Sequence, residues 1–204
     1  HGNAAACDAA FAAAAHRVAL DLVNQRLAPV SMEPRSVLAY VDAESGVDRL
    51  TLRMSSQMPS GVRNSLADAI PGRTQANVRV LVGDVGGGFG MKTGVYPEDI
   101  VLGWVALQLG RPVKWQAERV EEFLSAVHGR SQVSHAELAL DAQGQVLALR
   151  VRTLAGVGAY PSTTSVAIPL LIGPWVSTSI YHVPVVSLQL TAILTNNAPT
   201  GAYR

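Results

Sequence analysis

The sequence predicts an α+β fold, with mixed and mainly antiparallel sheets carrying packed helices. Three observations support this. Short β-branched apolar runs, among them Ser36–Asp42 and Arg49–Met54, are separated by turn residues at hairpin distance. Two other stretches carry apolar residues at helical spacing, with proline before them and glycine after them. Between these, Val78-Arg79-Val80-Leu81-Val82 runs through a glycine-rich stretch toward Pro97, a strand–loop–helix order.

The elements follow in chain order. In residues 9–27, Phe11, Ala15, Val18 and Leu22 fall at helical spacing, with Arg17, Asp21 and Gln25 elsewhere. Met32-Glu33-Pro34-Arg35 reads as a turn with a surface ion pair. Ser36–Asp42, the turn Ala43-Glu44-Ser45-Gly46-Val47-Asp48 and Arg49–Met54 form a hairpin. Ser55-Ser56-Gln57-Met58-Pro59 starts a helix whose apolar face is Val62, Leu66, Ala69 and Ile70, and Pro71-Gly72 stops it. Pro97 starts another, with Glu98 and Asp99 where acid suits the helix dipole. Its predicted face is Ile100, Val101, Trp104, Val105 and Leu107; Gly110 ends it and Pro112 prevents its continuation. Val113–Gln116 is a short strand, and the β-loop-α-β order predicts some parallel pairing here. Residues 118–128 read as a helix with Val120, Phe123, Leu124 and Val127 inward. From Ser134 the pattern is of antiparallel strands, with a turn at Asp141-Ala142-Gln143-Gly144. Residues 183–194 read as a long buried strand.

Composition narrows the function classes. The chain has 204 residues, 49% hydrophobic and 15% charged, so it can bury a core. A net charge of +1 gives no footprint for nucleic acid or a membrane surface. Cys7 is the single cysteine, so no internal disulfide and no cysteine metal cluster can form. The five histidines have no zinc spacing, and His128 at a helix end reads as a cap or packing residue. The Ala-rich start lacks the basic beginning and Leu-rich core of a signal peptide, and residues 166–176 are too short and too broken by Pro and Gly to span a bilayer.

The chemistry centres on Gly83-Asp84-Val85-Gly86-Gly87-Gly88-Phe89-Gly90-Met91-Lys92-Thr93. Without side chains, glycines let backbone N–H groups approach a ligand, and strand, glycine loop and helix is a common site for a phosphate-bearing cofactor. It is no Walker A loop, because Met91 separates Gly90 from Lys92. It is no dinucleotide fingerprint either, because Met91 stands where the third glycine belongs.

Val85-Gly86-Gly87-Gly88-Phe89-Gly90-Met91-Lys92 resembles the molybdenum-cofactor loop of the xanthine dehydrogenase/aldehyde oxidase family, which includes bacterial carbon monoxide dehydrogenase large subunits. The resemblance continues through Tyr96-Pro97-Glu98-Asp99, Leu109-Gly110-Arg111-Pro112-Val113-Lys114-Trp115, His128-Gly129-Arg130 and Gly158-Ala159-Tyr160 to Thr195-Asn196-Asn197-Ala198-Pro199-Thr200-Gly201-Ala202-Tyr203-Arg204. It implies a molybdenum–molybdopterin cofactor in its cytosine dinucleotide form. Gly86, Gly87, Gly88, Phe89, Gly90, Gln57 and Arg204 would then be cofactor-binding. A glutamine in the family's Ser/Thr-Gln motif contacts the metal-oxo group, and Ser56-Gln57 matches it within one residue. No residue is expected to ligate the metal directly. The resemblance also implies extended structure over residues 9–27 and places the Glu-Pro-Arg segment near the cofactor.

By the same resemblance, iron–sulfur clusters and FAD sit on partner subunits, and the parent is a cytoplasmic dimer of heterotrimers. The catalytic glutamate is expected downstream. Because the chain starts at His1 and stops at Arg204 while family members are several times longer, we expect an internal fragment. Residues 1–33 would be a connecting segment, and 34–204 part of the cofactor-binding domain. Phe89, Thr93 and Ile172 line the implied substrate pocket. Xanthine-oxidising members carry Glu and Arg where this chain has Thr93 and Ile172, so both polar handles for a purine are missing. An aldehyde or aromatic heterocycle is the expected substrate, with Gly rather than Cys after Arg204. The alternatives are a carbon monoxide dehydrogenase large subunit and a non-catalytic nucleotide-binding module.

Overall fold

The structure is a computed structural model that describes residues 1–42, 48–162 and 164–203. It contains two compact units. One comprises His1–Leu27 and His128–Gly201; the other comprises Ala28–Val127 and the chain end from Ala202.

The second unit carries the glycine loop. Its sheet joins β2 (Ser36–Asp42), β3 (Arg49–Met54), β4 (Val78–Leu81) and β5 (Val113–Gln116) in the order β4-β3-β2-β5. The expected β2/β3 hairpin is present, with Val41 opposite Leu50; its turn at 43–47 lies outside the described residues. The parallel pairing is between β3 and β4, while β5 runs antiparallel to β2. Helices α2 (Pro59–Ala69) and α3 (Pro97–Leu109) pack on this sheet. Leu50, Leu52, Leu66, Val37, Val62 and Ile70 make a core excluded from water.

Two helix faces differ from expectation. In α3, Gly103 and Ala106 are buried while Val101 and Trp104 stay exposed. The bare Cα of Gly103 lies against Ile70 and Leu50, and this close approach turns the helix away from the face that hydrophobicity alone selects. The helix read over 118–128 is shorter, α4 (Arg119–Ser125), and its Val120, Phe123 and Leu124 are exposed. It turns Glu122 inward instead, because the buried Arg35 demands a carboxylate.

In the first unit, α1 (Ala4–Ala13) starts at Asn3, whose side chain accepts from the Ala6 amide. The helix expected over 9–27 is replaced by the end of α1 and the strand β1 (His16–Asn24). The extended conformation implied by the resemblance is the one adopted. Val18, Leu20 and Leu22 share one strand face with a period of two, and pairing with β6 (Gln132–Leu140) satisfies the backbone. β7 (Val146–Gly158) returns antiparallel to β6, as the Asp141–Gly144 turn predicts. β8 (Val185–Leu194) departs from expectation twice. It runs parallel to β7, and it closes an edge of the sheet β1-β6-β7-β8 with only Leu188 buried. A π-helix over Ile168–Ile172 continues into a short helix, α5 (Gly173–Val176), that precedes it. Among the described residues, no helix is long and apolar enough to cross a membrane.

Candidate functional site

The glycine loop leaves β4 and ends in a single 3-10 turn at Met91–Thr93, just before α3. Its two ends are fastened by different side chains. At the entry, Glu33 grips Gly86 twice: the Glu33 amide donates to the Gly86 carbonyl at 3.1 Å, and the Gly86 amide donates to Glu33 Oε2 at 2.8 Å. A Cβ on Gly86 would lie 2.6 Å from Glu33 Cβ, so glycine is a packing requirement here. Ser55 Oγ and Lys92 Nζ donate to the same carboxylate oxygen, and Lys92 Nζ also reaches the Glu33 carbonyl. Burial pushes the Glu33 carboxyl up, but the hydrogen bonds from Lys92, Ser55 and Gly86 outweigh it and hold the group below the usual carboxylate range.

At the exit, Gln57 Oε1 accepts from the amides of Gly90 and Lys92 at 3.0 and 3.2 Å. The Gln57 backbone amide donates in turn to the Lys92 carbonyl at 2.8 Å. A Cβ on Gly88 would stand 2.5 Å from the Gln57 side-chain amide, and one on Gly90 would overlap the Ala202 carbonyl. Two amide donors fix which end of the Gln57 side chain is oxygen, leaving its NH2 as the free end.

Between these anchors the backbone is open. Among the described residues, the amides of Gly87, Gly88 and Phe89 donate to no protein acceptor. Phe89 holds a positive φ of 50°, uncommon for a bulky residue, and its ring is half exposed beside Gly87. Consecutive free amides on a twisted loop form a concavity that suits an anion.

The loop rests on a buried polar support. The Tyr96 hydroxyl donates to the Met91 carbonyl and accepts from the Val127 amide; burial pushes it up to about 12. The Arg35 guanidinium stacks 3.8 Å above the Tyr96 ring, with Glu122 and Ser125 taking its hydrogens. Asp99 accepts from the Tyr96 amide, and burial pushes its carboxyl up to about 6.

The structure thus brings Gln57, Gly86, Gly87, Gly88, Phe89, Gly90 and Thr93 together. Thr93 spends its hydroxyl proton on the Gly90 carbonyl. Ile172 belongs to the first unit, in the π-helix, and is half exposed. Arg204 lies outside the described residues. Sequence reasoning did not assign Glu33, Ser55 and Lys92 to one network. The available signals were a glutamate locked into a Glu-Pro-Arg turn and a lysine one position out of phosphate-binding register. Lys92 is 2% exposed with both its acceptors inside the protein, so it is not presented to a phosphate.

A family model described as the molybdopterin cofactor-binding domain matches residues 1–204. The chain belongs to that family. The resemblance read from the glycine loop and its flanking motifs therefore holds. Its α+β architecture matches as well: the structure superposes on carbon monoxide dehydrogenase from Oligotropha carboxidovorans with a TM-score of 0.89 at 29% identity, over 99% of this chain and 25% of that one. For quinoline 2-oxidoreductase from Pseudomonas putida 86 the TM-score is 0.86 at 37% identity, over 96% of this chain and 25% of that one. In sequence the chain is 35% identical to the gamma subunit of the 6-hydroxypseudooxynicotine dehydrogenase complex of Paenarthrobacter nicotinovorans, over 97% of this chain and 24% of that protein. It is 34% identical to the carbon monoxide dehydrogenase large chain of Hydrogenophaga pseudoflava, over 100% of this chain and 25% of that protein. The chain thus spans about a quarter of the length of these relatives.

The residues present fit a molybdopterin cofactor. Three free amides and a neutral amide donor suit an anionic, oxygen-rich group. Redox chemistry comes from such a cofactor when bound; the chain supplies orientation and shape.

Proposed function

We propose that this chain forms part of the cofactor-binding surface of a molybdenum hydroxylase large subunit that oxidises an aromatic heterocycle or an aldehyde with oxygen from water. The observation that carries the reading is the glycine loop fastened at both ends, with the Gly87, Gly88 and Phe89 amides free and the Gln57 NH2 beside them. In this reading the amides and Gln57 orient the cofactor, Phe89 borders the substrate channel, and Arg204 adds a cationic fork near the anionic centre. At Thr93 and at Ile172 the chain lacks the charged residues that a purine would use. Relatives named for 6-hydroxypseudooxynicotine and for quinoline support a heterocycle.

The cofactor is the cytosine dinucleotide form. Iron–sulfur and FAD subunits complete the enzyme, a cytoplasmic dimer of heterotrimers in which residues 34–204 belong to the cofactor domain and 1–33 lead into it. The 204-residue chain alone is inactive. The carboxylate fastened to its loop, Glu33, takes three donors on Oε2 and is held below the usual carboxylate range, which makes it a poor base.

The test is to purify the complex that carries this chain, measure its molybdenum and released cytosine nucleotide, and assay quinoline, nicotine and benzaldehyde against carbon monoxide. Oxidation of a heterocycle or aldehyde with one molybdenum per large subunit is expected. Absence of molybdenum defeats the cofactor assignment, and turnover of carbon monoxide alone defeats the substrate assignment.

A further inference from the structure

We propose that the half-buried Glu33–Lys92 ion pair is a clasp that sets the shape of the glycine loop for its cofactor, and that Glu33, Lys92 and Ser55 are positioning residues. This rests on the reading of the loop as a cofactor-binding surface.

The geometry makes the case. Phe89 sits at a positive φ of 50°, strained for a bulky residue, and the flexible glycines around it do not hold that path unaided. Something must over-determine it. Glu33 engages Gly86 through both donor and acceptor, fixing the residue at which the strained path begins. Lys92, at the other end of the loop, returns to Glu33 with its Nζ 2.9 Å from both the carbonyl oxygen and Oε2. Through Lys92 the exit end, already held by Gln57, is thus tied to Glu33 as well. Lys92 is almost wholly buried, with 1% of its side chain exposed against 34% for Glu33, so the ammonium depends on this carboxylate for its charge balance. The carboxylate in turn places no unbalanced negative charge beside a pocket built for an anion. Ser55, leaving β3, donates to the same oxygen and ties the clasp to the sheet.

The experiment uses the assembled complex and its cofactor-free form, with hydrogen exchange of the peptide covering residues 84–93 and molybdenum content as readouts. Glu33→Gln and Lys92→Met should raise loop exchange about tenfold to a hundredfold, the equivalent of one lost charge-assisted hydrogen bond, while the β2–β3 peptides stay protected. Molybdenum retained after gel filtration should fall in step. Ser55→Ala, which removes one hydrogen bond and no charge, should give the same pattern more weakly. Glu33→Leu combined with Lys92→Met leaves no uncompensated buried charge; it should regain thermal stability but not cofactor retention, a split that a purely structural role would not produce. Unchanged loop exchange in the cofactor-free single variants overturns the clasp, whatever the cofactor content. Loosened loops with full molybdenum retention overturn the positioning role. Wild-type complex without molybdenum would instead overturn the cofactor reading beneath it.

Discussion

Gln57 shows how one side chain can have two separable tasks. Its oxygen closes the exit of the glycine loop, its NH2 donates to no acceptor among the described residues, and under the proposed function that NH2 faces the cofactor. Alanine would remove both at once and confuse them. Glutamate keeps an oxygen that accepts from Gly90 and Lys92, but it replaces the donor with a negative charge facing the anionic cofactor. In the assembled enzyme Gln57→Glu should therefore keep the loop's exchange protection and lower kcat by at least about a hundredfold to a thousandfold, the loss of one oriented donor, with cofactor retention reduced by charge repulsion as well. Turnover within a few-fold of wild type would assign Gln57 to loop support alone.

At the scale of elements, the start of α3 carries a charge that its surroundings resist. Asp99 is 5% exposed, and its carboxyl is raised from 3.8 to about 6. Burial is the largest cause, partly offset by the Tyr96 amide and by Arg35. The folded state therefore binds a proton that the unfolded chain has already released between pH ~4 and ~6, so this group's contribution is full below pH ~4 and lost as pH rises through ~6. Asp99→Asn should match wild type in urea unfolding near pH 4 and exceed it by about 1–3 kcal/mol above pH 7. Both proteins keep Glu33, whose depressed value acts on the acid side, so its effect cancels in the difference. Equal midpoints at both pH values would show that Asp99 is not paying for its burial.

The same scale shows what the sequence could and could not convey. Hairpins and the proline-marked helix starts were legible because turn residues and prolines act locally: Pro59, Pro97 and the Asp141–Gly144 turn all stand where expected. The inward faces of α3 and α4 were not. They depend on Ile70 reaching the bare Gly103 and on Arg35 requiring Glu122, contacts made by residues far away in sequence. The site divides in the same way. The glycines and Gln57 form a recognisable string, whereas the closure of Glu33 on Lys92 spans 59 positions and has no periodic signal. β1 was ambiguous because Phe11, Ala15, Val18 and Leu22 satisfy a helical period while Val18, Leu20 and Leu22 satisfy a strand period. Pairing with β6 decides between them.

For the molecule as a whole, that strand has a practical consequence. β8 has its outer edge partly covered by the first residues of the chain, through Leu188 to His1 and Asn3 to Val186. β1 has no such cover among the described residues: it pairs with β6 alone, and all nine of its residues are exposed. An open row of hydrogen-bonding groups flanked by Val18, Leu20 and Leu22 is a template for intermolecular strand addition. Handling the 204-residue chain by itself should consequently be a solubility problem before it is a stability problem. Leu20→Lys places a charge on the sticky face without touching the core, and light scattering at rising concentration should show less self-association with an unchanged melting temperature. Equal scattering from both chains would mean that the outer strand is already kept from other copies.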